Sequence, residues 1–466
     1  MRTFCGLTAI RTGTTVAAIA AVILTGVFTV FRAEATELSE VKKLLASNAG
    51  VGDRFGRSVA VSGDTVVVGA PGGLGIAIKA GAAYVFQRDE GGAGNWGEVT
   101  KLTASDAQIG DRFGNSVAVS GDTAVVGAYR EDAGGTDAGA AYVFQRDQGG
   151  PGNWGEVKKL TASDAQDIDE FGISVAVSGD TAVVGAHLAD AGGNNAGAAY
   201  FFERDQGEAN NWGEVKKLTA SDARFGDNFG ISVALSGDIA VVGATGEDTG
   251  GNFAGAAYVF QHIQGGLGNW GEVKKLTASN AANIDRFGWS VAVSGDTAVV
   301  GALGENSGGS DAGAAYTFER NQGGPGNWGE VQQLLASDAE AGDSFGVGVA
   351  VSGDTAIVGA TGEDAGGSNA GAAYVFDLLL PKPTPTTTNT PMPTDTPAAT
   401  DTPAPTETHG PSPTAGVQPT VAPPDTGADR GDRDSGNAGV LAGVVAAGAV
   451  ALGGAAWYAR RREPSR

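Results

Sequence analysis

Apolar and polar residues alternate in short runs along most of the chain and never settle into a helical period. Ser116, Val117, Ala118, Val119 and Ser120 alternate, Gly121 and Asp122 interrupt, and Thr123 to Ala128 resumes the run. Period two on both sides of Gly-Asp predicts two antiparallel strands joined by a tight hairpin. An acidic, glycine-rich loop leads to Ala140, Ala141, Tyr142, Val143 and Phe144, and a second loop to the segment from Gly155 to Leu160. The pattern predicts one four-stranded antiparallel unit without a helix.

That unit is written six times. Phe-Gly recurs at Phe55, Phe113, Phe171, Phe229, Phe287 and Phe345, each 58 residues after the last. A period of this size marks one supersecondary unit that buries its faces only against its neighbours. Four-stranded units repeated around an axis are the blades of a β-propeller, with an open β-solenoid as the competing arrangement. The strand count favours closure. The sixth unit lacks a fourth strand because the chain turns to proline after Phe376, while Glu40, Val41, Lys42, Lys43 and Leu44 precede the first Phe-Gly with no blade of their own. The expectation is an all-β, closed propeller of six four-stranded blades over residues 36–380, its N-terminal strand completing the last blade.

Phe-Gly-x-Ser-Val-Ala, Val-Val-Gly-Ala and Ala-Tyr-Val-Phe recur in phase through residues 38–380. These units resemble FG-GAP repeats, the type that forms the propeller of integrin α subunits and of many bacterial surface proteins. The resemblance implies a β-propeller and commonly adhesion or ligand binding at the cell surface, with calcium in some hairpin loops. Two features depart from it. Integrin-type propellers usually have seven blades, and their Asp-x-Asp-x-Asp-Gly calcium loop is replaced here by bare turns such as Gly63-Asp64 and Gly121-Asp122. A two-residue turn is too short to wrap a calcium ion.

The ends predict an address. Arg2 and Arg11 precede an apolar run from Thr14 to Phe31, and Ala33-Glu34-Ala35 offers a small-x-small cleavage site, so residues 1–35 read as a signal peptide, with an uncleaved anchor as the alternative. Of the 17 prolines, 13 fall between Pro381 and Pro424 among threonines, which predicts an extended stalk over residues 381–437. Residues 438–459 carry no charge and are long enough to cross a hydrocarbon core of ~30 Å as a helix. Arg460, Arg461 and Arg462 follow in a basic tail over residues 460–466, which places the tail inside and the propeller outside. Pro424-Asp425-Thr426-Gly427 before that span also resembles a sortase sorting signal. The expected location is therefore the cell surface, through a transmembrane segment or a wall-sorting signal.

Composition narrows the function. Lys and Arg number 30 against 53 Asp and Glu, a formal charge of −23, and phosphate contacts need clustered Lys and Arg, of which no patch is expected outside the termini. Nucleic acid is not the expected partner. The lone Cys5 sits in the leader, and the three histidines are His187, His262 and His409, the last in the stalk. Nucleophilic or zinc catalysis has no visible constellation, and the chain does not read as an enzyme. Carboxylate-only glycoside chemistry is the least favoured reading, and a structural or display protein without a specific ligand is the alternative to a binding or adhesion module. The expected partner is an extracellular protein or glycan.

Two loop sets share one face of an up-and-down disc: the loop entering the first strand and the loop joining strands two and three. There the blades differ, with Arg57, Asn115, Ile173, Ile231, Trp289 and Val347 after Phe-Gly, and Pro71, Tyr129, His187, Thr245, Leu303 and Thr361 after Gly-Ala. Arg57, Tyr129, Arg130, His187 and Trp289 are the candidate ligand-binding residues, and all but His187 are of types enriched at binding hot spots. Calcium is a weaker expectation, with Asp132, Asp137, Asp248, Asp311 and Asp364 in the acidic loops as candidates against the ordinary turn role of Asp, Asn and Gly. Trp96, Trp154, Trp212, Trp270 and Trp328 start the outer strands and read as blade packing.

Overall fold

The computed structural model describes residues 42–379, apart from residues 74–79, 207, 209–210 and 263–268. The expected signal segment, stalk, C-terminal span and basic tail lie outside the described residues. What is described is an all-β propeller of six sheets that follow one another along the chain, five with four strands and the sixth with three.

Blade two shows the plan. Its strands are Ser116–Ser120, Thr123–Ala128, Ala140–Arg146 and Trp154–Leu160. The first two pair antiparallel from Ser116 with Gly127 to Ser120 with Thr123, so Gly121 and Asp122 form the hairpin that the alternation predicts. The third strand pairs with the second and then with the outer one, where the register slips between Val143 and Phe144.

Phe-Gly is the joint between blades. Phe171 makes a parallel bridge to Gly139 of the blade before and is completely buried. Its ring meets Tyr200 and Phe202 of its own blade edge-on, at centroid distances of 5.4 and 6.0 Å. Gly172 has φ +89, and a Cβ there would lie 2.3 Å from the Ala140 carbonyl oxygen, so no side chain fits. Gly127 of Val-Val-Gly-Ala is excluded from substitution the same way, by the Gly172 oxygen at 2.0 Å. The hydroxyl of Ser116 donates to that same oxygen at 2.8 Å. The sequence repeats because each interface uses the same backbone-to-backbone contact.

One apolar layer fills each gap between consecutive blades. The layer between blades two and three joins Val125, Ala141, Val143 and Leu160 of one to Phe171, Val184, Tyr200, Phe202 and Trp212 of the other. Outside it, Ser105 donates its amide and hydroxyl to the Glu156 carboxylate at 2.9 and 2.8 Å, and the equivalent bonds recur from Ser47 to Glu98 through Ser279 to Glu330. Leu44 and Ala46 cover the face of blade one as Leu102 and Ala104 cover that of blade two.

Blade six consists of Gly348–Ser352, Thr355–Ala360 and Ala372–Asp377. Residues 40 and 41, expected in its fourth strand, lie outside the described residues, and Lys42, Lys43 and Leu44 join no ladder. The face of blade six that corresponds to the one blade two turns toward blade three is open: Val375 is 69% exposed where Val143, covered by blade three, is 0%.

Candidate ligand-binding face

The two faces of the disc are built differently. On the hairpin face, each Ser-Gly-Asp turn is tied to the next blade, the Ser62 hydroxyl accepting from the Gly121 amide at 3.0 Å and Ser120 from Gly179 at 3.1 Å. Arg146 stacks on Trp154 at 5.4 Å, lies 3.2 Å from the Asp122 carboxylate, and donates to the Thr65 hydroxyl at 2.6 Å. Arg88 with Asp64 and Arg204 with Asp180 repeat the pair. A cavity of ≈ 340 Å³ opens here, and the arginines lining it, Arg88 and Arg146, are already paired with Asp64 and Asp122. Side chains on this face are committed to scaffolding, the tryptophans among them.

The loop face carries the variable positions, and the chain path groups them as the topology requires. The Arg130 amide donates to the Asp111 carbonyl at 3.2 Å, bringing the loop after strand two against the loop before Phe-Gly. Of the five candidates, three converge. The Arg130 guanidinium sits 5.4 Å from the centroid of the Tyr129 ring, and Arg57 of the preceding blade lies beside Tyr129 and Arg54. All three are half-buried. Burial pushes the Arg57 guanidinium down to about 10, with Tyr129 opposing and Arg54 adding to the shift, so it remains a cation at neutral pH.

The other two candidates are buried. His187 is 7% exposed, with Nε2 3.8 Å from the Glu170 carboxylate, and desolvation pushes its pKa down to about 3. A neutral imidazole at that distance makes no ion pair. Trp289 is 8% exposed and packs with Val347 and Leu303 in a small apolar cluster of blades five and six. Neither stands with Arg57 and Tyr129.

The acidic loop residues are engaged by their own loops. Asp132 accepts the Asp137 amide at 2.9 Å, Asp248 the Phe253 amide at 2.9 Å and Asp364 the Asn369 amide, while Asn306 holds the Asp311 amide at 2.9 Å. Asp137 and Asp311 sit in the left-handed region, φ 53 and 55, at the tip of each closed turn. Among the described residues no group of three or more His, Cys, Asp or Glu is placed to hold a metal ion.

Two features escape a reading of one repeat at a time. Blade two has a half-buried polar network: Tyr142 donates to Asp106 at 2.7 Å, and Lys159 reaches Asp106 at 2.6 Å and Glu131 at 2.8 Å. Blade four repeats it with Tyr258, Asp222, Lys275 and Glu247, and blade five replaces both charges, Asn280 standing for the aspartate and Gln333 for the lysine. The second feature is the residue before Phe-Gly, which is Arg54, Arg112, Glu170, Asn228, Arg286 and Ser344 in turn, always at positive φ between 55 and 64. Aligning the six repeats column by column would have exposed the first, whereas the second shows only in the backbone.

The family model for the FG-GAP repeat matches the chain six times, at residues 38–86, 96–144, 154–202, 212–260, 270–318 and 328–376. From the second onward, each match starts at an outer strand, within a residue, and ends on the third strand of the blade that follows. No curated protein matches the chain.

Proposed function

We propose that this chain, which belongs to the FG-GAP repeat family, is a binding or adhesion module that meets an extracellular ligand with the loop face of its propeller. One observation carries the reading. Arg57, Tyr129 and Arg130 gather half-exposed where the blades differ, while the opposite face repeats its residues and spends them on bonds between blades. The reading is of a binder, with no catalytic step assigned to it. Display at the cell surface belongs to the same proposal, supported by the apolar N-terminal run, the Pro/Thr-rich segment and the uncharged span before three arginines.

The test is an array of matrix proteins and glycans probed with the full chain in detergent, with and without a chelator. Retention that Tyr129→Ala abolishes in a folded protein is the expected result. Binding that survives Tyr129→Ala but is lost with Trp96→Ala would place the ligand on the other face and overturn the proposal.

The same proposal includes a closed ring, with residues 40–44 as the fourth strand of blade six. Charge complementarity supports it. Asp338 and Glu363 occupy in blade six the places of Asp106 and Glu131 in blade two, and Lys43 stands two repeats before Lys159. Tyr374 already donates to Asp338 at 2.8 Å. Deleting residues 38–47 should then lower the melting temperature far more than deleting residues 381–437, and equal melting temperatures would refute closure.

A further inference from the structure

We propose that Arg54, Arg57, Arg112 and Arg130, arranged about Tyr129, form a binding site for a polyanionic glycan, one bearing sulfate or uronate groups along its chain. The inference rests on the binding role proposed above and names the ligand's chemistry.

The four arginines stand on adjoining loops of blades one and two. The Arg57 amide donates to the Arg54 carbonyl at 3.1 Å, Arg57 lies beside Tyr129, Arg130 stacks on that ring, and the Arg130 amide donates to the carbonyl of Asp111, the neighbour of Arg112. In a chain of net charge −23 such a cluster would be expected to find carboxylates. It does not. The nine ion pairs among the described residues engage Arg88, Arg146, Arg204, Arg320 and three lysines, and none of these four.

The carboxylates closest in sequence have other tasks. Asp53 accepts the Gly50 amide, Asp111 the Gln108 amide and Asp132 the Asp137 amide, while Glu131 holds Lys159 and the Ala133 amide. The Arg130 Nε is buried with no hydrogen-bond partner, a donor that the fold leaves unused. Arg54 and Arg112 also occupy left-handed backbone, φ 56 and 64, which disfavours a residue with a Cβ. Asn228 holds the same position in blade four with a cheaper side chain, so the geometry does not require arginine.

A guanidinium offers a planar fork of donors that fits the paired oxygens of a sulfate or carboxylate. Four such forks over two blades match anions repeated along an extended chain. The cavities of ≈ 340 and ≈ 290 Å³ are lined by other residues, none of them one of these four arginines. The half-exposed Tyr129 ring provides a flat face for a sugar.

The experiment measures binding of the full chain in detergent to immobilised heparin, with polyglutamate and neutral dextran as parallel arms, at 50 and 500 mM salt. Heparin should be bound at low salt, with affinity falling at least about tenfold at high salt, and dextran should be ignored. Arg112→Gln with Arg130→Gln should weaken binding by about tenfold or more, whereas Arg286→Gln, the same position three blades on, should leave it unchanged. Thermal melts of both variants verify folding, and Arg54→Gln serves as a substitute at the most exposed position. Tighter binding to polyglutamate, equal loss with Arg286→Gln, or no heparin binding at low salt would each overturn the proposal. If heparin fails while the array retains a neutral ligand sensitive to Tyr129→Ala, the anionic site falls and the binding role stands.

Discussion

The loop-face rims of blades one and two and of blades five and six are built on the same backbone and do opposite things. After Phe-Gly stand Arg57 and Asn115 in the first pair but Trp289 and Val347 in the second; after Gly-Ala, Tyr129 of blade two faces Leu303 of blade five in the same column. The first pair gathers half-buried cations around a tyrosine, while the second closes an apolar cluster over itself. The scaffold is thus indifferent to what these positions carry. Variation among blades is not by itself a sign of a binding surface, since half of it has gone into packing.

Substitutions can break or sharpen this contrast. Trp289→Ala removes a nearly buried indole from between Val347 and Leu303, and should cost about 3–5 kcal/mol in chemical denaturation. Tyr129→Ala, on the rim of blade two, should cost far less, since its ring is only half-buried. Equal losses would erase the distinction between the two rims.

A smaller difference is expected between the polar networks beneath them. Lys159→Ala leaves Asp106 and the buried Glu131 without their cation and should cost about 2 kcal/mol. Gln333→Ala in blade five removes only neutral hydrogen bonds, to Tyr316 and Ser307, and should cost about 1 kcal/mol or less.

The pH dependence of stability should follow the buried carboxylates. Burial, reinforced by Glu131, Asp106 and Asp132 against the Gln108 amide, raises the Asp111 carboxyl from 3.8 to about 6. The folded state therefore holds a proton that the unfolded state releases, and this contribution to stability declines as pH rises from about 4 to about 6. Asp111→Asn should flatten that decline in a series of melts, and an unchanged slope would count against it. Asp106 acts in the opposite sense. Burial alone would raise it, but hydrogen bonds from Lys159 and Tyr142 outweigh burial and hold it below 3.8, so its stabilisation is lost only as pH falls through its lowered pKa.

The smallest effect concerns the arginines themselves. Arg112→Gln should change stability by about 0.5 kcal/mol or less, in either direction, because the ion pairs of the described residues do not include Arg112. A large loss would mean that the patch is part of the scaffold.

Much of the fold was legible from the repeat because its causes are local. The Gly121-Asp122 hairpin follows from alternation, and Gly127 and Gly172 from a contact no Cβ permits. The site was less legible because side-chain burial on the rim depends on the neighbouring blade. Nothing in the segment around His187 says that its imidazole is enclosed, and nothing around Trp289 announces Leu303 and Val347 as its covers. Arg54 and Arg112 were passed over because the residue before Phe-Gly looks like an ordinary turn position, and only the left-handed φ marks it out. The acidic loops looked like ligand sets for the same chemical reason that makes them good turns: an aspartate oxygen accepts a backbone amide as readily as it binds a cation.

The exchange of Asp106 and Lys159 for Asn280 and Gln333 has a consequence for how such a chain finds its shape. Bonds between and within blades close loops of nearly equal length, 51 residues for Ser105 with Glu156 and 53 for Lys159 with Asp106, so folding can begin at any blade on equal terms. Equal terms also invite error, because an outer strand from a distant repeat offers the same Trp-Gly-Glu-Val and the same ladder. Doubling the loop costs only about 0.6 kcal/mol, too little to reject a wrong neighbour. The charge pattern supplies what entropy does not: the outer strand of blade five seated on blade two would set Gln333 against Glu131, a buried acid left with no cation. In a molecule of near-copies, the few departures from the repeat act as addresses.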